Sequence, residues 1–290
     1  MNNSAANLKR RDRVLRRVFF FLPDAVFGRP SRAMPTGNVL ITGASGGIGQ
    51  SLAVRYAQAG RTLVLWGRNA QRLEITARLC RNRGAHVVTR EIDLADGKAS
   101  LAALRADDDA VPLQTVILCA GLSDMKKASE KVEPPEMVLE LGLVNYATPS
   151  ALTMAAAERM QARGGGTIAL IGSVAAFHDL PFAAGYGGSK AGLARFASSA
   201  RIALAPLGVH VSLIAPGFVD TAMSQRIIGP RPFLVTPDQA AGHIIAAIAK
   251  DRAEVIFPWP FRVLRLIDRL TPRPVREAIM SRVNADQKPR

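Results

Sequence analysis

The stretch Thr42-Gly43-Ala44-Ser45-Gly46-Gly47-Ile48-Gly49 follows a short aliphatic run at 39–42 and opens a helix-like run at 48–59. Glycines at 43, 47 and 49 suit a tight turn, close backbone approach to a pyrophosphate and close packing of helix on strand, with the helix N-terminus facing the phosphates. A Gly-rich turn alone proves little. A strand before it and a helix after it supply the context that a dinucleotide loop requires. The spacing here is G-x-x-x-G-x-G, not the G-x-G-x-x-G of the common fingerprint.

Outward from this loop, β-branched or aliphatic runs at 39–42, 62–66, 86–90, 115–119, 167–172, 210–215 and 254–257 alternate with helical patterns at 48–59, 70–83, 98–105, 136–163, 186–207 and 237–250. Near-continuous apolar strands separated by helices predict a parallel sheet covered on both faces. The expected fold is α/β: a single doubly wound, Rossmann-like domain over 38–258 with a seven-stranded parallel sheet. At 290 residues and 48% hydrophobic content the chain can bury such a core. Two cysteines, Cys80 and Cys119, fit no metal or redox spacing and are too few for a disulfide framework. A reducing, cytoplasmic setting without a metal site is the corresponding expectation.

The net charge of +15 resides largely in the ends. Residues 1–35 hold eight Lys/Arg against two Asp, and residues 259–290 hold eight against three acids, leaving +4 for the rest. Residues 8–22 and 261–270 each read as a short basic amphipathic helix. The first contains an apolar run, 18–22, far below the ~20 residues that cross a bilayer. Two extensions, 1–37 and 259–290, are therefore expected to flank the Rossmann-like domain, with an anionic membrane surface at the inner face of the membrane as their partner. Packing of these apolar faces on the core or across a subunit interface is the competing reading. Nucleic acid is not the expected partner, since no recognition motif accompanies the charge.

Tyr186 and Lys190 lie one helical turn apart and so share a face. A nearby fixed positive charge favours a phenolate, which makes the pair a proton-transfer device. With the glycine loop, Asp93-Leu94 after the third strand, Cys119-Ala120-Gly121 after the fourth, Asn145 in a long helix, Ser173 after the fifth, and Pro216-Gly217 followed by Val219 and Thr221, the chain over 38–257 resembles the short-chain dehydrogenase/reductase family. The resemblance does not extend to the two ends.

The resemblance implies a dinucleotide site built from Gly43, Ser45, Gly47, Ile48, Gly49, Arg68, Asp93, Leu94, Ala120, Gly121, Tyr186, Lys190, Pro216, Gly217, Val219 and Thr221. It implies catalysis by Asn145, Ser173, Tyr186 and Lys190, and a homo-oligomer, dimer or tetramer. Cys119 stands where the family usually has an asparagine thought to brace the sheet. Gly67 occupies the position at which NAD-dependent members carry an acid, and Arg68 follows, so NADP(H) is expected rather than NAD(H). Hydride transfer to a carbonyl leaves an alkoxide that must be stabilised and protonated. Tyr186 would be the acid/base, Ser173 would hold the substrate oxygen, and Asn145 would anchor a water linking Lys190 to solvent. Segments 173–182 and 219–235 are rich in apolar side chains and predict a lipophilic ketone or secondary alcohol as substrate. A non-catalytic nucleotide-binding redox sensor or scaffold is the alternative from another class. It has no need of the Asn-Ser-Tyr-Lys set.

Overall fold

The computed structural model describes residues 36–127, 129–283 and 286–287, so the basic helix expected over 8–22 lies outside the described residues. Strands β1 (Asn38–Thr42), β2 (Thr62–Gly67), β3 (His86–Glu91), β4 (Leu113–Leu118), β5 (Gly166–Ile171), β6 (Val209–Pro216) and β8 (Glu254–Phe257) form one parallel sheet in the order β3-β2-β1-β4-β5-β6-β8. This is the expected seven-stranded, doubly wound sheet. The strand order reverses between β1 and β4, and that switch opens a crevice at the carboxyl ends of the strands.

Alternation along the strands divides the core between the two faces. Leu40, Val64, Val116, Ile168 and Val211 pack with α3 (Gly97–Ala110), α5 (Thr148–Gln161) and α6 (Ala184–Leu204) through Leu104, Leu152 and Leu193. Val39, Ile41, Leu63, Leu65 and Ile214 pack with α1 (Gly47–Tyr56), α2 (Ala70–Arg81) and α7 (Pro237–Ala249) through Leu52, Leu73 and Ile244. Side chains cap several of these helices. Asn69 accepts from the Arg72 amide at α2, Asp96 from Ala99 at α3, and Thr236 with Gln239 forms a reciprocal capping box at α7. At α1 no side chain takes that role, which leaves its first amides facing the glycine loop.

Where the sequence predicts one helix over 136–163, the structure has α4 (Pro135–Gly142), a π turn at Leu143–Ala147 and then α5. The π turn holds Asn145, whose carboxamide is spent on contacts outside the helix. An inserted residue of this kind re-aims a side chain, and such bulges are frequent at functional sites.

The C-terminal segment is folded beyond the helix expected at 261–270. It forms α8 (Pro260–Leu270), α9 (Arg273–Met280) and a two-residue strand β9 (Asp286–Gln287), which pairs antiparallel with β7 (Ile227–Ile228). Phe261 of α8 is buried, with its ring 6.3 Å from that of Phe218 and 5.8 Å edge-on to Phe233. A Cβ at Gly217 would stand 2.3 Å from the Phe261 ring, so the glycine after Pro216 is where α8 seats itself. Residues 32–290 form one compact unit.

Candidate active site

A cleft of about 920 Å³ opens at the carboxyl ends of the strands. Among the sequence-derived residues, all the nucleotide candidates and Ser173, Tyr186 and Lys190 line it, whereas Asn145 lies fully buried behind it.

At one end, the turn from β1 into α1 is held by close backbone contact. A Cβ at Gly49 would lie 2.2 Å from the Gly43 carbonyl oxygen, and one at Gly47 would lie 3.0 Å from the Thr221 methyl. Glycine loop and post-β6 loop therefore face each other across a narrow gap. The Thr42 hydroxyl accepts from the amides of both Cys119 and Ala120, each at 3.0 Å, and so ties the end of β1 to the end of β4. That bond supplies the bracing which the asparagine-to-cysteine replacement at Cys119 put in question. Asp93 folds back to accept from the Ala95 amide at 2.9 Å, and the Thr148 hydroxyl donates to the Leu94 carbonyl at 2.7 Å, fixing the floor after β3.

Past β2, Arg68 is exposed, with its Nη1 4.0 Å from an Asp93 carboxylate oxygen. Arg72, one turn into α2, lines the same end of the cleft. Sequence reasoning did not single it out; its place in the first turn of the helix that follows the strand-end Arg68 was the available signal.

At the other end, Lys190 is buried and its Nζ donates to the Ile171 carbonyl at 3.0 Å. Asn145 Oδ1 accepts from the Leu122 amide at 2.8 Å, while its Nδ2 donates to the Leu122 carbonyl at 2.9 Å and to Ser189 Oγ at 3.1 Å. Asn145 Oδ1 and Lys190 Nζ converge on Gly121, where a side-chain carbon would come within 3.0 and 3.3 Å of them. Asn145 thus braces the loop after β4 against α6, and is a positioning residue by its contacts.

The Ser173 hydroxyl lies beside the Tyr186 phenol and accepts from the Ala175 amide at 3.1 Å. Burial raises the Tyr186 pKa, and the Ser173 hydroxyl opposes that rise. Lys190 was expected to lower the phenol's pKa, but desolvation by burial is the larger effect on it. Desolvation also lowers Lys190 itself to about 8. The neighbouring Cys119 thiol is pushed up to about 12 by burial, against the pull of Lys190, and is no thiolate at neutral pH.

His178 stands in the cleft wall with its Nδ1 3.9 Å from an Asp268 carboxylate oxygen on α8. Burial lowers its pKa despite that carboxylate, so the ring is a neutral wall residue near pH 7. From α8 and α9, Phe261, Leu264, Ile267, Ile279 and Met280 complete this end. The sequence reading placed specificity in 173–182 and 219–235, and both segments do line the cleft. It missed the C-terminal helices because their amphipathic pattern fits a solvent or lipid surface equally well.

The family model for short chain dehydrogenases matches residues 37–230. The chain belongs to that family. An uncharacterized oxidoreductase of Myxococcus xanthus is 32% identical over 245 residues, covering 84% of this chain and 96% of the relative. Estradiol 17-beta-dehydrogenase 11 of Rattus norvegicus is 26% identical over 255 residues, covering 85% and 83%. A short-chain dehydrogenase from Sphingobium yanoikuyae, solved in complex with NADPH, superposes with a TM-score of 0.69 at 28% identity, covering 86% of this chain and 97% of that one. The protein is accordingly an oxidoreductase of the short-chain dehydrogenase family with a Rossmann-like fold. No group of His, Cys, Asp or Glu suited to a metal ion occurs among the described residues.

Proposed function

We propose that this dehydrogenase interconverts a lipophilic ketone and its secondary alcohol with NADP(H), Tyr186 serving as acid/base. The observation that carries the reading is one cleft in which Ser173, Tyr186 and buried Lys190 lie together between a glycine cradle and an apolar wall. The contacts at Gly47 and Gly49 show a cradle that any added Cβ would fill, which fits a pyrophosphate at the N-terminus of α1. A bound nicotinamide supplies or accepts the hydride. Tyr186 donates the proton to the substrate oxygen, and Ser173 holds that oxygen beside the phenol. Lys190, kept in place by the Ile171 carbonyl, sets the electrostatic environment of the phenol.

Three features favour NADP(H). Arg68 and Arg72 both reach the end of the cleft past β2. There is no acid at position 67. A Cβ there would already lie 3.0 Å from Ser45 Oγ, so the Ser45 hydroxyl occupies the space that an acidic side chain would need. The NADPH complex of the Sphingobium relative agrees with this choice. Titration of both reduced cofactors tests it: tighter binding of NADPH is expected, and equal or tighter NADH binding overturns it.

An apolar substrate follows from the Leu180, Phe182, Met223, Ile227, Phe261 and Leu264 side chains around the reacting end, and the rat relative is named for a steroid. A screen of lipophilic carbonyls by NADPH consumption identifies the substrate, and preference for sugars would overturn the assignment. As a subunit contact we assign the α4–α6 side of the molecule, where Leu139, Met154 and Ile202 are exposed. Sedimentation of native and Ile202→Glu protein tests that contact; an unchanged oligomer rejects it.

A further inference from the structure

The helices α8 and α9 bury little of the apolar surface they carry. Phe261 alone on α8 is fully buried, while Leu266 is 58%, Ile267 54% and Leu270 73% exposed. On α9, which has no buried residue, Val275 and Ile279 are about half exposed. Trp259 and Val263 extend the same exposed ridge. Scattered apolar residues on a surface need no explanation, but a contiguous ridge along two successive helices marks an interaction site.

The helical positions sort this ridge into two halves. At about 100° per residue, Phe261, Leu264 and Asp268 point to one side, and these three line the cleft. Val263, Leu266 and Leu270 point to the other side and line nothing. Ile267, exposed and on the cleft wall, joins the halves; Ile279 on α9 and Val283 after it do the same. The ridge therefore forms the rim of the mouth through which substrate reaches Tyr186.

Charge selects the occupant. Arg262 and Arg269 flank Leu266 on α8, and with Arg282 they enter no ion pair among the described residues. Arg265 is differently employed: it pairs with Glu254 and lies over the Phe177 ring, fastening α8 to the fold. Residues 259–283 hold six arginines against Asp268 and Glu277. A second copy of the chain meeting this ridge across a two-fold axis would set the same unpaired arginines against one another. An apolar ridge edged by arginines matches acyl chains beneath anionic headgroups.

We infer that the α8–α9 ridge docks on an anionic lipid bilayer and that the cleft mouth opens there, so that a lipophilic substrate passes from the membrane to Tyr186 without crossing water. The substrate part of this inference rests on the function proposed above; the docking part does not. Interfacial helices of this kind insert an apolar face to the headgroup boundary while their arginines meet lipid phosphates. Residues 8–22 repeat the pattern in sequence and lie outside the described residues.

The test is flotation of the full-length protein, with NADPH present, on phosphatidylcholine vesicles with and without phosphatidylglycerol. Binding is expected only with phosphatidylglycerol and is expected to weaken with salt. Replacing Leu266→Ser together with Leu270→Ser should lower vesicle binding by more than about tenfold. Arg262→Gln and Arg269→Gln should each lower it by about fivefold. None of the four touches the cleft, so turnover of a water-soluble ketone should be unchanged, while kcat/KM for a ketone dissolved in the vesicles falls with binding. The arginine variants keep the apolar face intact and serve if the leucine variant is poorly folded. Absence of native binding, or native-like binding by both sets of variants, overturns the docking surface. Loss of self-association by the leucine variant with flotation intact would reassign the ridge to a subunit contact. Flotation needs no turnover, so a protein that floats yet turns over no ketone refutes the proposed substrate reading alone.

Discussion

The two ends of the cleft are built on different principles. The nucleotide end is made mainly of backbone: the turn at residues 43–49, the Thr42 hydroxyl tying β1 to β4, and amides at the start of α1. The reacting end is made of side chains delivered by β5, α6, the 219–235 segment and the C-terminal helices. Backbone sites depend on local glycine spacing, so they can be read from a short window. Side-chain sites depend on which remote segments meet, and no window contains that information.

The largest effect should come from the reacting end. Tyr186→Phe removes the proton donor without changing ring packing and should lower kcat by about 10²–10⁴-fold. NADPH binding, followed by fluorescence titration, should remain, because the glycine cradle is untouched. If turnover persists, the two ends are not divided between binding and proton transfer as argued here. Next comes the C-terminal contribution. Phe261→Ala empties the seat above Gly217 and should destabilise the fold by about 3–5 kcal/mol, read by urea unfolding. A loss below about 1 kcal/mol would mean that α8 is an appendage after all.

Much of the fold was legible because it rests on repeated local signals. The seven apolar runs became the seven strands of the sheet, with ends moved by a residue or two. The glycine loop and the candidates at 173, 186 and 190 came to one cleft because each follows a strand end or opens a helix at the same edge of the sheet. Two things were not legible. The π turn around Asn145 depends on a contact with Leu122 from another element, and periodicity across 136–163 reads straight through it. The place of α8 depends on the fit of Phe261 over Gly217, whereas its amphipathic pattern says only that one side is apolar.

At the nucleotide end, Arg68→Ser should reduce NADPH affinity by on the order of tenfold, the worth of a charge-assisted hydrogen bond, and leave NADH nearly unchanged. Arg72→Ser should act in the same direction, since both guanidinium groups line that end. Equal losses for the two cofactors would show that these arginines serve the pyrophosphate or the fold rather than a 2′-phosphate.

The smallest effect tests the junction of the two ends, where Lys190 is buried. Its folded pKa is about 8 against an ordinary value of 10.5, because burial penalises the ammonium form. Below about pH 8 the folded protein carries a buried charge and bears that cost in full. Between about 8 and 10.5 the folded lysine has lost its proton while the unfolded one retains it. The unfolded state then binds more protons, so this group makes stability rise with pH across that window. The two cysteine thiols, raised by burial to about 11 and about 12, act oppositely above pH ~9, so the lysine must be isolated by difference. Lys190→Met removes the charge at similar volume. Its advantage in melting temperature over the native protein should be greatest below about pH 8 and shrink as pH rises from there. An advantage that does not change with pH would mean that the folded and unfolded lysine bind the proton alike, so that burial does not displace its titration.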